Sequence, residues 1–79
     1  MVTPESVRQG IGAGLACEHL EVAGDGQHFE ALVVSPAFEG RSRVQRHQQV
    51  YAALGERMRE EIHALSMQTL TPEEAKQDG

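Results

Sequence analysis

Four histidines and a single cysteine are the residues of this 79-residue chain best suited to transition-metal or proton chemistry. They are His19, His28, His47, His63 and Cys17. Neutral imidazoles that meet at one place can hold zinc, copper or iron, whereas a reactive thiol needs a lowered pKa. Which of these side chains can meet depends on the helices and strands that carry them.

A β-hairpin is predicted in the first half of the chain. Residues 19–23 alternate polar and apolar types, and residues 29–35 are rich in Val and Leu. The glycine-containing segment Gly24–Gly26 between them is typical of a turn. His19 therefore begins the first strand, and His28 begins the second.

A helix is predicted before the hairpin. Thr3 is a good N-cap, and apolar residues recur every four positions from residue 7 to residue 15. Each glycine in this helix weakens it by about 1 kcal/mol relative to alanine, and we expect these glycines to allow close packing on the sheet. They are Gly10, Gly12 and Gly14.

A longer helix and a third strand are predicted in the second half. Gly40 marks a tight turn, and Ser42 is an N-cap for the long helix. The third strand runs from His63 to Leu70, and Thr71 then caps a short last helix in a capping box with Glu74. On a helical wheel, the predicted buried face of the long helix contains Val44, His47, Tyr51, Leu54 and Met58.

The order helix, strand, strand, helix, strand, helix predicts an α+β (α/β) fold in one small domain. A strand–helix–strand unit within one sheet makes the second and third strands parallel. The expected architecture is a three-stranded mixed sheet with helices on one face. We expect a single domain over residues 1–79, with an ordered core of about residues 3–76.

Parallel pairing of the second and third strands predicts one meeting point for histidines. His28 and His63 begin these strands, so they should share one rim of the sheet. They would be about 4.8 Å apart, or about twice that if another strand intervenes. His19 and His47 belong to the opposite rim. Two imidazoles do not complete a zinc site, so a half-site finished by another molecule is the preferred interpretation. Asp25 is a weak candidate for an added oxygen ligand.

Each candidate also has an interpretation without a metal. His63 could bind a carbonyl at a strand start, and His28 could be a solvated loop residue. His47 lies within an apolar helix face and is better explained as a hydrogen-bonded core histidine. Cys17 lies between a helix and a strand, where a small buried hydrophobe is the usual role.

The charge of the chain is acidic overall but uneven. The formal net charge of −5 makes the chain a poor general binder of phosphate backbones. Positive charge is concentrated at Arg41, Arg43 and Arg46, around the start of the long helix. This cluster fits a solvated helix start and a docking patch for an acidic partner equally well.

Sequence motifs typical of enzymes are missing, since the chain has no GxSxG, HExxH, P-loop or GxGxxG pattern. We therefore expect no catalytic residues. No signal-peptide segment is visible, and no apolar run approaches the ~20 residues that span a bilayer. The single cysteine excludes an internal disulfide and fits a reducing compartment, so a cytoplasmic protein without membrane contact is predicted.

Two sequence blocks together resemble the BolA family, most closely its short IbaG/YrbA-like branch. The first block fits the pattern F-x-G-x-S-x-V-x-R-H, and the second contains a histidine at a strand start followed by a T-P-E-E turn. The two blocks in this order and spacing are quite specific, and the resemblance spans roughly residues 3–76. The matched positions are Phe38, Gly40, Ser42, Val44, Arg46, His47, His63, Ala64, Leu65 and Thr71–Glu74.

The resemblance implies a fold related to the second class of KH domains and a function without catalysis. BolA-like proteins pair with monothiol glutaredoxins and share a [2Fe–2S] cluster, in iron–sulfur trafficking, iron homeostasis or stress response. The glutaredoxin cysteine and bound glutathione would supply the sulfur ligands, and no cluster is expected on the chain alone. By this resemblance His63 is a metal ligand, and His28 in the hairpin loop is the local candidate for the second. That loop has no cysteine, which excludes a cysteine-ligated site there.

A nucleic-acid-binding transcriptional regulator is the alternative function. The KH-like fold and the basic residues Arg41, Arg43 and Arg46 favour it. The acidic balance, the few aromatic residues and the absence of a G-x-x-G loop with basic flanks oppose it, so only weak DNA binding is expected. A scaffold without a metal is a third interpretation, and the sequence leaves open whether a homodimer forms.

Overall fold

The helices and strands follow one another in the predicted order. The computed structural model of the protein describes residues 2–62 and 64–78. His63, the predicted first residue of the third strand, lies outside them. None of the described helices is long and apolar enough to cross a membrane. The elements are α1 (Pro4–Gly14), β1 (His19–Gly24), β2 (His28–Val34), a short 3₁₀ helix (Pro36–Phe38), α2 (Arg43–Glu61), β3 (Ala64–Leu70) and α3 (Pro72–Asp78).

The strands form a mixed sheet with β2 at its centre. β1 pairs antiparallel with β2, and β2 pairs in parallel with β3, so the predicted hairpin and parallel crossover are both confirmed. His28 lies opposite Ala64 where β2 and β3 begin, and we call this end the His28 rim. Val34 lies opposite Leu70 where they end, and we call this end the Leu70 rim. β1 runs the other way, so His19 begins it at the Leu70 rim.

One face of the sheet is apolar and packs against α1 and α2. Phe29, Ala31 and Val33 alternate along β2 on this face and are buried. Full burial of one large apolar side chain contributes about 1.5–3 kcal/mol, so this layer fixes the two helices on the sheet. The buried cluster includes Val2, Val7, Ile11, Phe29, Ala31, Val33, Phe38, Val50 and Leu54.

The three helices begin at polar caps that the sequence predicted. Thr3, Ser42 and Thr71 each accept a hydrogen bond from the backbone N–H three residues later, at 3.1, 3.2 and 3.1 Å. The side chain at that later position accepts in return from the backbone N–H of the cap, at 2.9, 2.9 and 2.8 Å. Each cap contributes about 1 kcal/mol and satisfies N–H groups that the helix itself cannot.

The buried face of α2 is rotated from the predicted one. Val44 is 66% exposed, so its predicted burial is wrong. Val50 is fully buried instead, and Leu54 is also buried. At 100° per residue Val44 lies about 120° around the helix from Val50, away from the sheet. His47 and Tyr51 are half-buried, and the side chain of Met58 lies outside the described part of the chain.

Gly40 and Gly55, like Gly26 in the hairpin turn, have positive φ angles that other residues rarely adopt. Gly40 has φ of 73° in the predicted tight turn before α2. Gly55 leaves the helical conformation within α2, with φ of 81° and ψ of 164°. Because glycine has no Cβ, it takes such angles without a steric penalty. The helix continues beyond Gly55 as a second segment after a kink.

Gly14 allows α1 to approach α2 closely. A Cβ at Gly14 would lie 2.7 Å from Cα of Ala53 and 2.9 Å from its Cβ. At Gly12 a Cβ would meet only Cδ2 of Leu20, at an ordinary contact distance of 3.6 Å. The expected close packing therefore occurs at Gly14, but it is against α2 and not, as predicted, against the sheet.

We expect Gly14→Ala and Gly12→Ala to have opposite effects on stability. Overpacking against the α2 backbone should make Gly14→Ala less stable by about 1–3 kcal/mol. Gly12→Ala has room and should stabilise the helix by up to about 1 kcal/mol. Urea unfolding followed by circular dichroism measures both variants. A Gly14→Ala protein as stable as Gly12→Ala would contradict the close helix contact.

Candidate functional site

The His28 rim is where the sequence predicts a metal half-site. Parallel pairing places His28 opposite Ala64, and neighbouring strands are about 4.8 Å apart. The N–H of Ala64 donates to the carbonyl of Gln27 at 3.2 Å, so pairing reaches the first residue of β3. His28 is exposed there. His63 immediately precedes Ala64 in the sequence but lies outside the described residues, so its meeting with His28 stays a prediction.

Asp25 holds the hairpin loop that carries His28. Its Oδ1 accepts hydrogen bonds from the backbone N–H groups of Gln27 and His28, at 2.9 and 2.8 Å. These bonds, the one from His28 first, hold the pKa of Asp25 below its usual value. Oδ1 of Asp25, which the sequence offered as a weak candidate for a metal ligand, thus stabilises the loop through these hydrogen bonds. Residues 2–62 and 64–78 contain no group of three or more His, Cys, Asp or Glu placed to hold a metal ion.

His19 and Cys17 lie towards the Leu70 rim, away from His28. His19 is exposed at the start of β1, and its Nε2 pairs with Oε2 of Glu21. The thiol of Cys17 donates to the carbonyl of Leu15 at 3.4 Å, and burial raises its pKa. A raised pKa keeps the thiol protonated and unreactive, which suits the small hydrophobic role expected from the sequence.

His47 is half-buried on α2 and also lies towards the Leu70 rim. Its Nε2 is buried without a hydrogen-bond partner among the residues that the structure describes. The sequence predicted a hydrogen-bonded core histidine, and this nitrogen lacks the expected bond. An unsatisfied buried polar group costs about 1–3 kcal/mol of stability, so the unpaired Nε2 of His47 is energetically unfavourable at this rim.

Arg46 connects α2 with the ends of β3 and α3. Its Nη1 donates to Oε1 of Glu74 at 2.7 Å and to the carbonyl of Thr69 at 3.1 Å. Its Nε donates to the carbonyl of Arg41 at 3.0 Å, and its guanidinium lies 5.9 Å from the ring centre of Phe38. Only 14% of the Arg46 side chain is exposed. Its positive charge is therefore balanced within the protein by the carboxylate of Glu74.

The other two residues of the predicted basic cluster differ from Arg46 in their exposure to solvent. Arg41 and Arg43 are both exposed, beside the exposed Val44. Together these three residues form a surface with two positive charges and one apolar side chain, and we call it the α2 patch. A docking role for Arg41, Arg43 and Arg46 stays a prediction, and the first two are the ones that solvent reaches freely.

The partner of Arg46 was missed from the sequence. The sequence predicted Glu74 as a capping residue, and this role is confirmed by the bond from the Thr71 N–H. The same carboxylate also binds Arg46, which lies 28 residues earlier. No local pattern connects two residues so far apart. The available signal was that a capping carboxylate can accept further hydrogen bonds. Oε1 of Glu74 accepts from both the Thr71 N–H and Nη1 of Arg46, and Oε2 accepts from Nη2 at 3.4 Å.

A groove runs between α2, β3 and α3 at this end of the sheet, and we call it the Arg46 groove. Its volume is about 630 Å³, and it is open to solvent. The side of the groove formed by β3 is a run of consecutive residues, so the groove follows the strand. It is lined by residues 67–70 of β3, by Arg43, Arg46 and His47 of α2, and by Glu74 and Gln77 of α3.

The fold defines a small α+β domain, and comparison with known proteins identifies its family. The family model for BolA-like proteins matches residues 11–74. A solved BolA homologue from Coxiella burnetii is 47% identical, with a TM-score of 0.84 over 96% of this chain and 99% of that one. The chain belongs to the BolA family.

Three relatives are similar over most of the chain. Protein BOLA2 of Arabidopsis thaliana is 46% identical, covering 96% of this chain and 86% of the relative. The acid stress protein IbaG of Escherichia coli is 40% identical over 81% of this chain and 77% of its own length. The DNA-binding transcriptional regulator BolA of Haemophilus influenzae is 41% identical over 73% of this chain and 56% of its own length.

The ion pair of Arg46 and Glu74 predicts a pH-dependent stability. The hydrogen bond from Arg46, followed by the one from the Thr71 N–H, holds the pKa of Glu74 below its ordinary value of 4.5. The lowered pKa means that the charged form stabilises the folded state above about pH 4.5. This contribution is lost as the pH falls through the lowered pKa. Glu74→Gln should therefore be less stable than the unmodified protein at pH 7, and the difference should shrink below pH 4.5.

Urea unfolding at pH 7 and at steps from pH 5 to pH 3 measures this difference. Glu73→Gln is the matched control, because Glu73 is the neighbouring exposed glutamate of α3. A stability difference between Glu74→Gln and the unmodified protein that stays constant over this range would contradict the ion-pair assignment.

Proposed function

We propose that the protein is a non-enzymatic adaptor that binds a monothiol glutaredoxin and shares a [2Fe–2S] cluster with it. The observation that carries the proposal is the pairing of His28 with Ala64 at the start of two adjacent parallel strands. The residue before Ala64 is His63. Two imidazoles at neighbouring strand starts would form the half-site that the family resemblance implies.

The donors of this half-site suit one iron of a shared cluster. In Rieske centres, two histidines bind one iron of a [2Fe–2S] cluster, and thiolates bind the other. Here His28 and His63 would supply nitrogen ligands, and the partner's cysteine and glutathione would supply sulfur. The bound cluster would supply one-electron chemistry and transferable iron and sulfide. The protein's own contribution is positional, since Asp25 fastens the loop that carries His28.

The α2 patch is the proposed docking surface for the partner. Arg41 and Arg43 are exposed and free to meet acidic residues, and Val44 adds an exposed apolar contact. Arg46 contributes mainly by holding the local structure, since its guanidinium already binds Glu74. The name of the acid stress relative supports a role in stress response. We propose that this role belongs to iron–sulfur trafficking or iron homeostasis in the cytoplasm.

Co-expression with a monothiol glutaredoxin tests the ligand assignment. The unmodified protein should co-purify as a coloured heterodimer with the visible absorption of a [2Fe–2S] cluster. His63→Ala should change that spectrum and lower the cluster content, and His28→Ala should do so if it is the second ligand. His19→Ala is the matched control, because His19 is an exposed histidine at the Leu70 rim.

The heterodimer itself is measured separately by gel filtration of the proteins without cluster. A heterodimer that forms while His63→Ala keeps an unchanged spectrum would refute the ligand role of His63. Far-ultraviolet circular dichroism confirms that each variant is folded. If no complex forms with the unmodified protein, the adaptor proposal fails.

DNA binding is the second candidate function, and one specific observation favours it. A relative is named as a DNA-binding transcriptional regulator, and the α2 patch offers the exposed cations Arg41 and Arg43. Filter binding to duplex DNA over a salt series should show weak, steeply salt-dependent affinity if the patch contacts phosphates. The double variant Arg41→Ala and Arg43→Ala should lower both the affinity and the slope of its salt dependence. Affinity unaffected by this variant would reject the second function.

A further inference from the structure

β3 is an edge strand, and its outer side carries backbone groups that no strand pairs. Towards β2, the N–H of Ala64 donates at 3.2 Å and the carbonyl of Leu70 accepts at 3.0 Å. In a parallel pairing, alternate residues direct both backbone groups to the same side. Leu65, Met67 and Thr69 therefore direct theirs away from β2. No strand pairs with that side within residues 2–62 and 64–78.

Arg46 occupies one end of this edge and leaves the remainder open. Its Nη1 donates to the carbonyl of Thr69 at 3.1 Å, which agrees with the outward direction of that group. Charged side chains at an edge are a common protection against unwanted strand pairing. Among the described residues, this protection reaches only Thr69. The backbone groups of Met67, which also lines the Arg46 groove, have no such partner among the described residues.

The side chains around this edge would suit an acidic ligand. Arg43 lines the groove and is exposed, whereas the charge of Arg46 is already balanced by Glu74. His47 lines the same groove and has a buried Nε2 without a partner in the described chain. An open strand edge, with unpaired N–H and C=O groups, and an exposed cationic side chain thus lie along one groove.

We propose that the Arg46 groove binds an extended, acidic segment of a partner protein, which adds as a fourth strand along β3. The backbone of that segment pairs with Met67 and Leu65, and a carboxylate side chain binds Arg43. Recognition through a strand edge gives affinity from main-chain bonds and specificity from side-chain contacts.

An acidic partner segment fits this groove better than β3 of a second copy of the chain does. The sequence of β3 is ALSMQTL and contains no acidic residue, so self-pairing through β3 would leave Arg43 without a carboxylate. A nucleic acid could neutralise Arg43, but its sugar–phosphate backbone lacks the alternating N–H and C=O groups that pair with a strand. The open edge therefore favours a polypeptide.

This surface goes beyond the proposed cluster adaptor and does not depend on it. The groove lies towards the Leu70 rim, and the seven residues of β3 place that rim about 20 Å from the His28 rim. The segment would reach Leu65, which follows Ala64 at the His28 rim, and it would use Arg43 of the α2 patch. A docked glutaredoxin and the segment would therefore compete for part of this surface. The test below uses no metal and no glutaredoxin, so its failure is distinct from failure of the adaptor proposal.

Nuclear magnetic resonance titration of the ¹⁵N-labelled protein tests the proposal. The probe is a short peptide of alternating threonine and valine with one central glutamate, and the matched control peptide has lysine instead. At about 1 mM peptide, the amide signals of Leu65 and Met67 should shift more than those of Ser66 and Gln68, which face β2. The glutamate peptide should bind more tightly than the lysine peptide, and Arg43→Glu should weaken its binding by up to about fivefold.

Met67→Pro separates strand pairing from simple charge attraction. Proline at position 67 removes an N–H that faces the groove, but it leaves the bonds from β3 to β2 intact. Binding of the glutamate peptide should be lost in Met67→Pro and kept in the control Met67→Leu. The ¹⁵N spectrum of each variant reports whether the fold is intact.

Several outcomes would overturn the assignment. Absence of shifts at Leu65 and Met67, or equal binding by Met67→Pro, would exclude strand addition. Equal affinity for both peptides would exclude an acidic occupant. Shifts at the same amides that depend only on protein concentration would identify a second copy as the occupant. Tighter binding by a short DNA oligonucleotide at these amides would identify a nucleic acid.

Discussion

The parallel pairing of β2 with β3 is the constraint on which the other features of this domain depend. Two parallel strands cannot be joined by a tight turn, so the chain must cross the sheet, and α2 makes that crossing. The crossing covers the apolar face with Val50 and Leu54. It also brings the first residues of both strands to one rim, beside His28. An antiparallel β3 would have carried position 64 to the opposite rim.

The two rims differ in how their polar groups are held. At the His28 rim, Asp25 binds backbone N–H groups of the loop, and the imidazole of His28 is left exposed. At the Leu70 rim, Arg46 binds a strand carbonyl, the turn before α2 and Glu74 of α3. The first rim therefore presents an imidazole to solvent, whereas at the second rim the charged Arg46 joins three elements. α3 is only seven residues long, and its cap and this ion pair hold its first turn.

Local signals in the sequence were sufficient to predict the fold. Contacts between residues far apart in the sequence could not be predicted from it. The caps at Thr3, Ser42 and Thr71 were predictable because each depends on a residue three positions away. The face of α2 was not, because a wheel treats every apolar residue as buried and therefore included Val44. The pairing of Arg46 with Glu74 spans 28 residues and has no sequence period. The ligand role of His63 stays a prediction from family resemblance and topology.

The approach of α1 to α2 has a consequence for how this sequence can change over time. The two helices touch where Gly14 faces Ala53, with space for no more than a hydrogen atom on one side and a methyl group on the other. A larger residue at either position would push the helices apart and open a void beneath Val7 and Ile11. Substitutions at these two sites should therefore occur in a compensating manner among homologues. The distance between the two helices therefore depends on Gly14 and Ala53 together and not on either residue alone.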